Sequence, residues 1–338
     1  MRQRTRYSIL LALALLAAIP VAILLRKAAP PEVARLLPEC DALVYMNITL
    51  LRTATHFDRT TVHRSPDFQQ FIDATGIIPE RDIDAVAFAL HRRDDPNGPN
   101  GAVAYSEVFE GRFDGGRLAH YLSGIARAKE SYAGHDIFTI PVGEIKGPGS
   151  RQLRVTQLGY DTIAASNMPT AEQIHAMLDR HRAAASPFAG ASLLSARYSD
   201  VPVLSSAWAI GHVGLPFSEQ GAITLFGLRL PLPEDTTFVA SLRYLGSIRL
   251  RVEMISATEA EATQSAGALV SILNIFCSVQ QIQPASHTDA AIRKMIDTLK
   301  LDQKKDRTVL TADIPTELLR ELTTPDKQAS MDSPLASH

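Results

Sequence analysis

Two stretches of this 338-residue chain carry the same grammar. Residues 162–178 read TIAASNMPTAEQIHAML, and residues 308–322 read TVLTADIPTELLREL. Each is a β-branched run followed by Asn167 or Asp313, an apolar residue, Pro-Thr, and an acidic start to an amphipathic segment. Those residue types are ordinary at a strand-to-helix junction, because they cap the helix and favour its positive end. Equal spacing is not ordinary. Thr162/Thr308, Asn167/Asp313, Pro169/Pro315 and Thr170/Thr316 match at an offset of 146. The same offset lays VAYSEVFEGRFD (103–114) on RLRVEMISATEA (249–260), so that Glu107 meets Glu253. This spacing predicts an internal duplication, with a period too long for a solenoid.

The expected fold is α+β: two similar lobes, each an antiparallel sheet with helices on one face. The lobes would occupy residues 39–185 and 186–323, ahead of a disordered tail at 324–338. Strand patterns recur at 40–48, 82–90, 101–111 and 205–214, and helical spacing at 65–76, 114–127 and 257–276. Pro169 and Pro315 read as helix seeds. In the segment SIRLRVEMIS, Ile248, Leu250, Val252 and Met254 alternate with Arg249, Arg251 and Glu253, which predicts one packed and one wet sheet face.

The N-terminus reads differently. Residues 8–25 form an 18-residue run without charge, preceded by three arginines and followed by Arg26-Lys27. The run is long for a signal peptide and just long enough to span a bilayer core. Residues 1–27 are therefore expected to be a transmembrane signal-anchor, with 28–38 as a stalk. The chain would then sit single-pass in the cell membrane with its bulk extracytoplasmic, or be secreted after cleavage. Removing the five N-terminal cations from 34 leaves 29 basic residues against 36 acidic ones in the remaining chain. That balance excludes a nucleic-acid binder of the usual basic kind.

Motifs that carry chemistry are missing. There is no GxSxG elbow, HExxH pair, Walker loop or EF-hand spacing. GEIKGPGS (143–150) lacks the Lys-Ser/Thr ending and the following helix of a phosphate loop, and DDPNGPN (94–100) fits no calcium loop. Cys40 and Cys277 have no metal-ligand spacing, and a disulfide between them is left open. No cofactor or metal is expected. The candidate binding surface is the Arg/Glu side of the second hairpin: Arg243, Arg249, Arg251 and Glu253.

RLLPECDALVYMNITLLRTA (35–54), SPDFQQFIDATGIIPERDIDAVAFAL (65–90) and EGRFDGGRLAHYL (110–122) resemble uncharacterised bacterial membrane-anchored envelope proteins. The resemblance covers the first half, mainly 35–125, and implies an anchored extracytoplasmic (periplasmic) domain. It assigns no residue a role. The expected function is a non-enzymatic binding or envelope-interaction module, with the membrane and an envelope protein as partners. The alternatives are a hydrolase with its site between the lobes, and an oligomeric scaffold.

Overall fold

A computed structural model describes residues 29–59, 64–93, 103–142, 151–183, 190–212, 222–225, 228–231, 236–244, 247–280 and 294–315. The first half of the chain contains α1 (Glu32–Leu36), β1 (Ala42–Asn47), α2 (Ile48–Thr55), α3 (Pro66–Thr75), α4 (Pro79–Asp82), β2 (Ile83–Arg92) and β3 (Val103–Gly111). It continues with α5 (Gly115–Ile125), β4 (Ala128–Tyr132), β5 (His135–Val142), β6 (Arg151–Gln157), β7 (Thr162–Ser166) and α6 (Glu172–Arg182). The second half contains α7 (Ser192–Arg197), β8 (Ala207–His212), β9 (Ala222–Leu225), β10 (Leu228–Pro231), β11 (Thr237–Tyr244) and β12 (Ile248–Ile255). It ends with α8 (Glu259–Gln280), β13 (Lys300–Lys304) and β14 (Arg307–Ile314).

Local chemistry explains most of these elements. Ser65 and Asp114 accept backbone hydrogen bonds as N-caps of α3 and α5, and Gly76 closes α3 at φ +75°. Asn47, which ends β1, caps α2 by accepting from Leu50 N at 3.0 Å. Pro169 does not seed its helix: α6 begins at Glu172. Asn167 instead ties β7 to β3, accepting from Tyr105 N at 2.7 Å. The helix expected after Pro315 lies outside the described residues, as do the tail, the two glycine-rich loops and the hairpin turn at 245–246.

The expectation of two separate lobes is corrected by the sheet. Twelve strands form one antiparallel sheet in the order β13-β14-β12-β11-β8-β1-β2-β3-β7-β6-β5-β4, with β9 and β10 in a separate hairpin. The halves join at its centre, where Leu43 pairs with Ile210 across β1 and β8. Element order outward from this seam repeats, as β1-β2-β3-β7-β6 and β8-β11-β12-β14-β13. The residue matches at offset 146 do not repeat. Side chains facing each other across strands share a sheet face, and that places Glu107 and Ile163 on one face and Glu253 and Val309 on the other. A slip of one residue reverses every side chain, so the matched residues are not equivalent positions.

Helices also cover both faces instead of one. On the inner face, α1, α6 and α7 pack on Leu43, Ala87, Val108, Ile210 and Val239. On the outer face, Leu118 and Leu122 of α5 cover Phe138, Val155, Ile163 and Ala165. At the other end α8 lies on β13 and β14, with Thr308 Oγ1 donating to Ala262 O at 3.1 Å.

The transmembrane anchor is corrected as well. Among the described residues no helix is long and apolar enough to cross a membrane. The run at 8–25 lies outside them, and no described helix supplies the single-pass span expected from sequence. The supposed stalk is partly core: Val33, Ala34, Leu36 and Leu37 are all buried. Glu39 locks this segment down, accepting from Arg180 Nη2 at 2.9 Å and from Ser192 N and Oγ at 2.8 and 2.7 Å. Burial raises its carboxyl, but the Ser192 and Arg180 hydrogen bonds outweigh that and hold it below the usual range. Cys40 beside it is a free thiol. Its burial, with Glu39 and Asp41 nearby, pushes the pKa up to about 12.

A stalk residue tolerates truncation, whereas a core residue does not. Leu36→Ala is expected to lower the unfolding free energy by about 2–4 kcal/mol in urea titration. A change within about 0.5 kcal/mol would mark this segment as surface.

Candidate functional site

Backbone pairing defines two rows of side chains across the six central strands β12, β11, β8, β1, β2 and β3, one on each face. The inner row runs Glu253, Val239, Ile210, Leu43, Ala89, Ser106 over six adjacent strands. No member is more than 4 % exposed. The outer row over the same strands runs Val252, Ala240, Ala209, Val44, Phe88, Glu107. All six are half-buried. Beyond Glu107 the outer row is buried again, at Ala165, Val155 and Phe138 beneath α5. Along these six strands the sheet thus has a closed inner row and a partly open, mostly apolar outer row, between the α5 end and the α8 end.

Glu107 is the one ionisable side chain among those six positions. β3 delivers it: in YSEVF, Tyr105, Glu107 and Phe109 share a face while Ser106 and Val108 take the other. Directly across β2 stands Phe88, and across β7 stands Ala165. Burial raises the Glu107 carboxyl from an ordinary 4.5 to about 7, and no charged or hydrogen-bonding neighbour among the described residues opposes that. Beside it, the Phe88 and Phe109 rings meet edge to face at 6.3 Å. They wall an apolar cavity of about 230 Å³, also lined by Ile48, Phe57, Pro79, Ile83 and Val86. Glu80 lines the cavity too, but it is ion-paired with Arg64 at 3.1 Å.

The surface expected from sequence lies on the other, inner face. Glu253 is buried on the inner face, where Arg251 Nη2 reaches it at 2.8 Å and Arg307 Nη1 at 2.7 Å. Arg307 also holds Asp200 at 2.8 Å, from the turn that leads into β8. Arg249 is paired with Asp313 at 3.0 Å and faces Arg243 across β11. Arg249 and Glu253 thus join β12 to β14, while Arg251 pairs with Glu253 along β12. The alternation was read correctly as two faces, but the wet one is covered at Glu253 by the Asp200 turn.

Two other clusters carry residue types common in catalysis. His91 Nε2 lies 2.9 Å from Ser106 Oγ, and Ser106 Oγ lies 3.0 Å from Ser166 Oγ. A serine beside a histidine is the beginning of a nucleophile–base pair. Here all three residues are buried beneath the inner helices, so no substrate reaches the hydroxyls. Burial also lowers the His91 pKa, against Asp41 and the Glu39 carbonyl. Tyr132 stacks on His175 at 3.8 Å between ring centroids, and its hydroxyl donates to Asp179 at 3.0 Å. These contacts fasten edge strand β4 to α6. Trp208 is core, stacked on Tyr45 at 5.5 Å. Among the described residues no three His, Cys, Asp or Glu converge as metal ligands.

Comparison with known proteins gives little. No family model matches, and no curated protein matches. Solved structures of TP0453 share a distant likeness. Crystal form III has a TM-score of 0.48 at 11% identity, covering 87% of this chain and 98% of that one. Crystal form IV has a TM-score of 0.45 at 12% identity, covering 87% and 96%. Likeness at this level carries no argument about the present chain, and none of these findings bears on the resemblance to anchored envelope proteins.

The Glu107 pKa makes stability depend on pH with a definite sign. The folded chain binds this proton more tightly than the unfolded one. The group's favourable contribution is full below about pH 4.5 and is lost as pH rises through about 7. Glu107→Gln removes the penalty, so the variant should gain roughly 3 kcal/mol over the wild type at pH 8 and nothing at pH 4. Equal unfolding free energies at pH 8 would refute the burial of this carboxyl.

Proposed function

We propose that this chain is a non-enzymatic binding module whose contact surface is the half-open apolar strip of the outer face. The observation that carries this reading is the contrast between the two rows. The inner row is fully packed, so the chain already has its core. The outer row keeps six consecutive strands partly exposed between two covered ends. Contiguous apolar surface rimmed by covered or polar elements is a usual mark of a contact site. The one serine–histidine pair found among the described residues is sealed, which favours binding over hydrolysis. The expected envelope partner would meet the protein here through apolar contact.

Nile red, a neutral dye whose emission rises and shifts blue in apolar sites, tests this directly. Saturable binding to the wild type is expected. Val44→Gln and Ala240→Glu, which polarise or fill the strip, should each weaken it by about tenfold or more, while Arg249→Ala leaves it unchanged. Fluorescence that rises without saturation, or equally in all four proteins, would reject the strip as a binding surface. A concentration-dependent dimer broken by the same two substitutions would assign the strip to self-association.

A further inference from the structure

The binding strip carries one polar feature, and its placement restricts what fits there. Six strands contribute five apolar side chains and Glu107 to the open row. A carboxylate in such a setting loses hydration without gaining a partner, which is costly unless a ligand supplies one. Most acids near apolar surface are satisfied from their own chain. Glu80, on the same cavity, has Arg64; Glu253, on the opposite face, has Arg251 and Arg307. Glu107 has no such partner among the described residues.

The adjoining cavity sets the shape of the rest of the ligand. Phe88 stands directly across from Glu107 and Phe109 lies two residues along the same strand face, and both rings line the cavity. Its volume of about 230 Å³ is below the roughly 300–1,000 Å³ usual for drug-sized ligands, and its lining is almost wholly apolar. That suits a slender alkyl chain better than a polar ring system. Glu107 is not itself in the lining but stands next to both rings on the same sheet face, so a group with donors only, carried just outside the cavity past Phe88 and Phe109, would complete the carboxylate.

Resting on the binding-face reading above, we infer that this site takes a hydrophobic amine, with its alkyl chain in the cavity against Phe88 and Phe109 and its ammonium on the Glu107 carboxylate. An alcohol of the same length can fill the cavity but supplies only a neutral hydrogen bond. A fatty carboxylate places like charge against Glu107. The ranking of amine over alcohol over carboxylate therefore follows from this one residue, whereas binding of any alkyl chain follows from the strip.

Competition against Nile red with octylamine, octan-1-ol and octanoate at pH 8 separates the two. Octylamine should displace the dye at about tenfold lower concentration than octan-1-ol, with octanoate weakest. In Glu107→Gln, octylamine and octan-1-ol should come within about threefold of each other. Arg249→Ala, remote from the strip, should keep the wild-type ranking. If the amine and the alcohol displace the dye equally from the wild type, or if Glu107→Gln keeps the preference, the amine assignment is wrong while the strip remains a binding surface. An octanoate preference also overturns it. If Nile red itself does not bind, the strip reading fails and the ligand assignment fails with it.

Discussion

The antiparallel pairing of β1 with β8 is the constraint on which this molecule depends. Each half of the chain builds a set of antiparallel strands, and neither set would be closed without this seam. The two strands carry Leu43 and Ile210 onto the inner face, both fully buried. The layer that buries them comes from segments just ahead of each strand: α1 ahead of β1, and α7 ahead of β8. Glu39 links those segments through Ser192, and links both to α6 through Arg180. Strand pairing, helix cover and ion pairing thus meet at one place. The central strands of a sheet this wide can be buried on one side by short helices because the helices come from both halves.

The same seam produces the open strip. α5 follows β3 and α8 follows β12, so these two outer helices lie toward the two ends of the sheet, and the outer row between them, from Val252 to Glu107, stays half-buried. An isolated glutamate is tolerable there because burial raises its carboxyl to about 7, so that it stays protonated below that pH and is expensive when ionised. Glu107 and Glu253 show how far environment outweighs residue type. Sequence spacing pairs them, yet one stands in an apolar row with no counter-charge among the described residues and the other sits under two arginines.

Local features were legible in the sequence because they depend on neighbours in the chain. Ser65, Gly76 and Asp114 mark helix ends, and the alternation in SIRLRVEMIS marks a strand with two distinct faces. What was not legible depends on distant partners. Alternation tells which residues share a face but not which face another segment will cover, so Arg249, Arg251 and Glu253 looked wet although Arg307, itself held by Asp200, is paired with Glu253. VARLL at 33–37 resembled a stalk because it is short and flanked by prolines, whereas its burial arises from α6 and the sheet behind it. Glu107 did have a signal, being the one acid between Tyr105 and Phe109 on an alternating strand. Its significance required knowing that the surrounding row is apolar across five other strands.

The account rests on the two faces of the sheet being unequal, and neighbouring residues on β1 test that. Leu43 and Val44 point to opposite sides of the same strand. Cysteine placed at each position in turn, reacted with a maleimide under native conditions and read peptide by peptide by mass spectrometry, reports each face separately. Val44→Cys is expected to label in the folded protein, while Leu43→Cys labels only after unfolding. Equal protection of both positions would mean that the outer strip is closed, and faster labelling at Leu43→Cys would mean that the faces have been assigned the wrong way round.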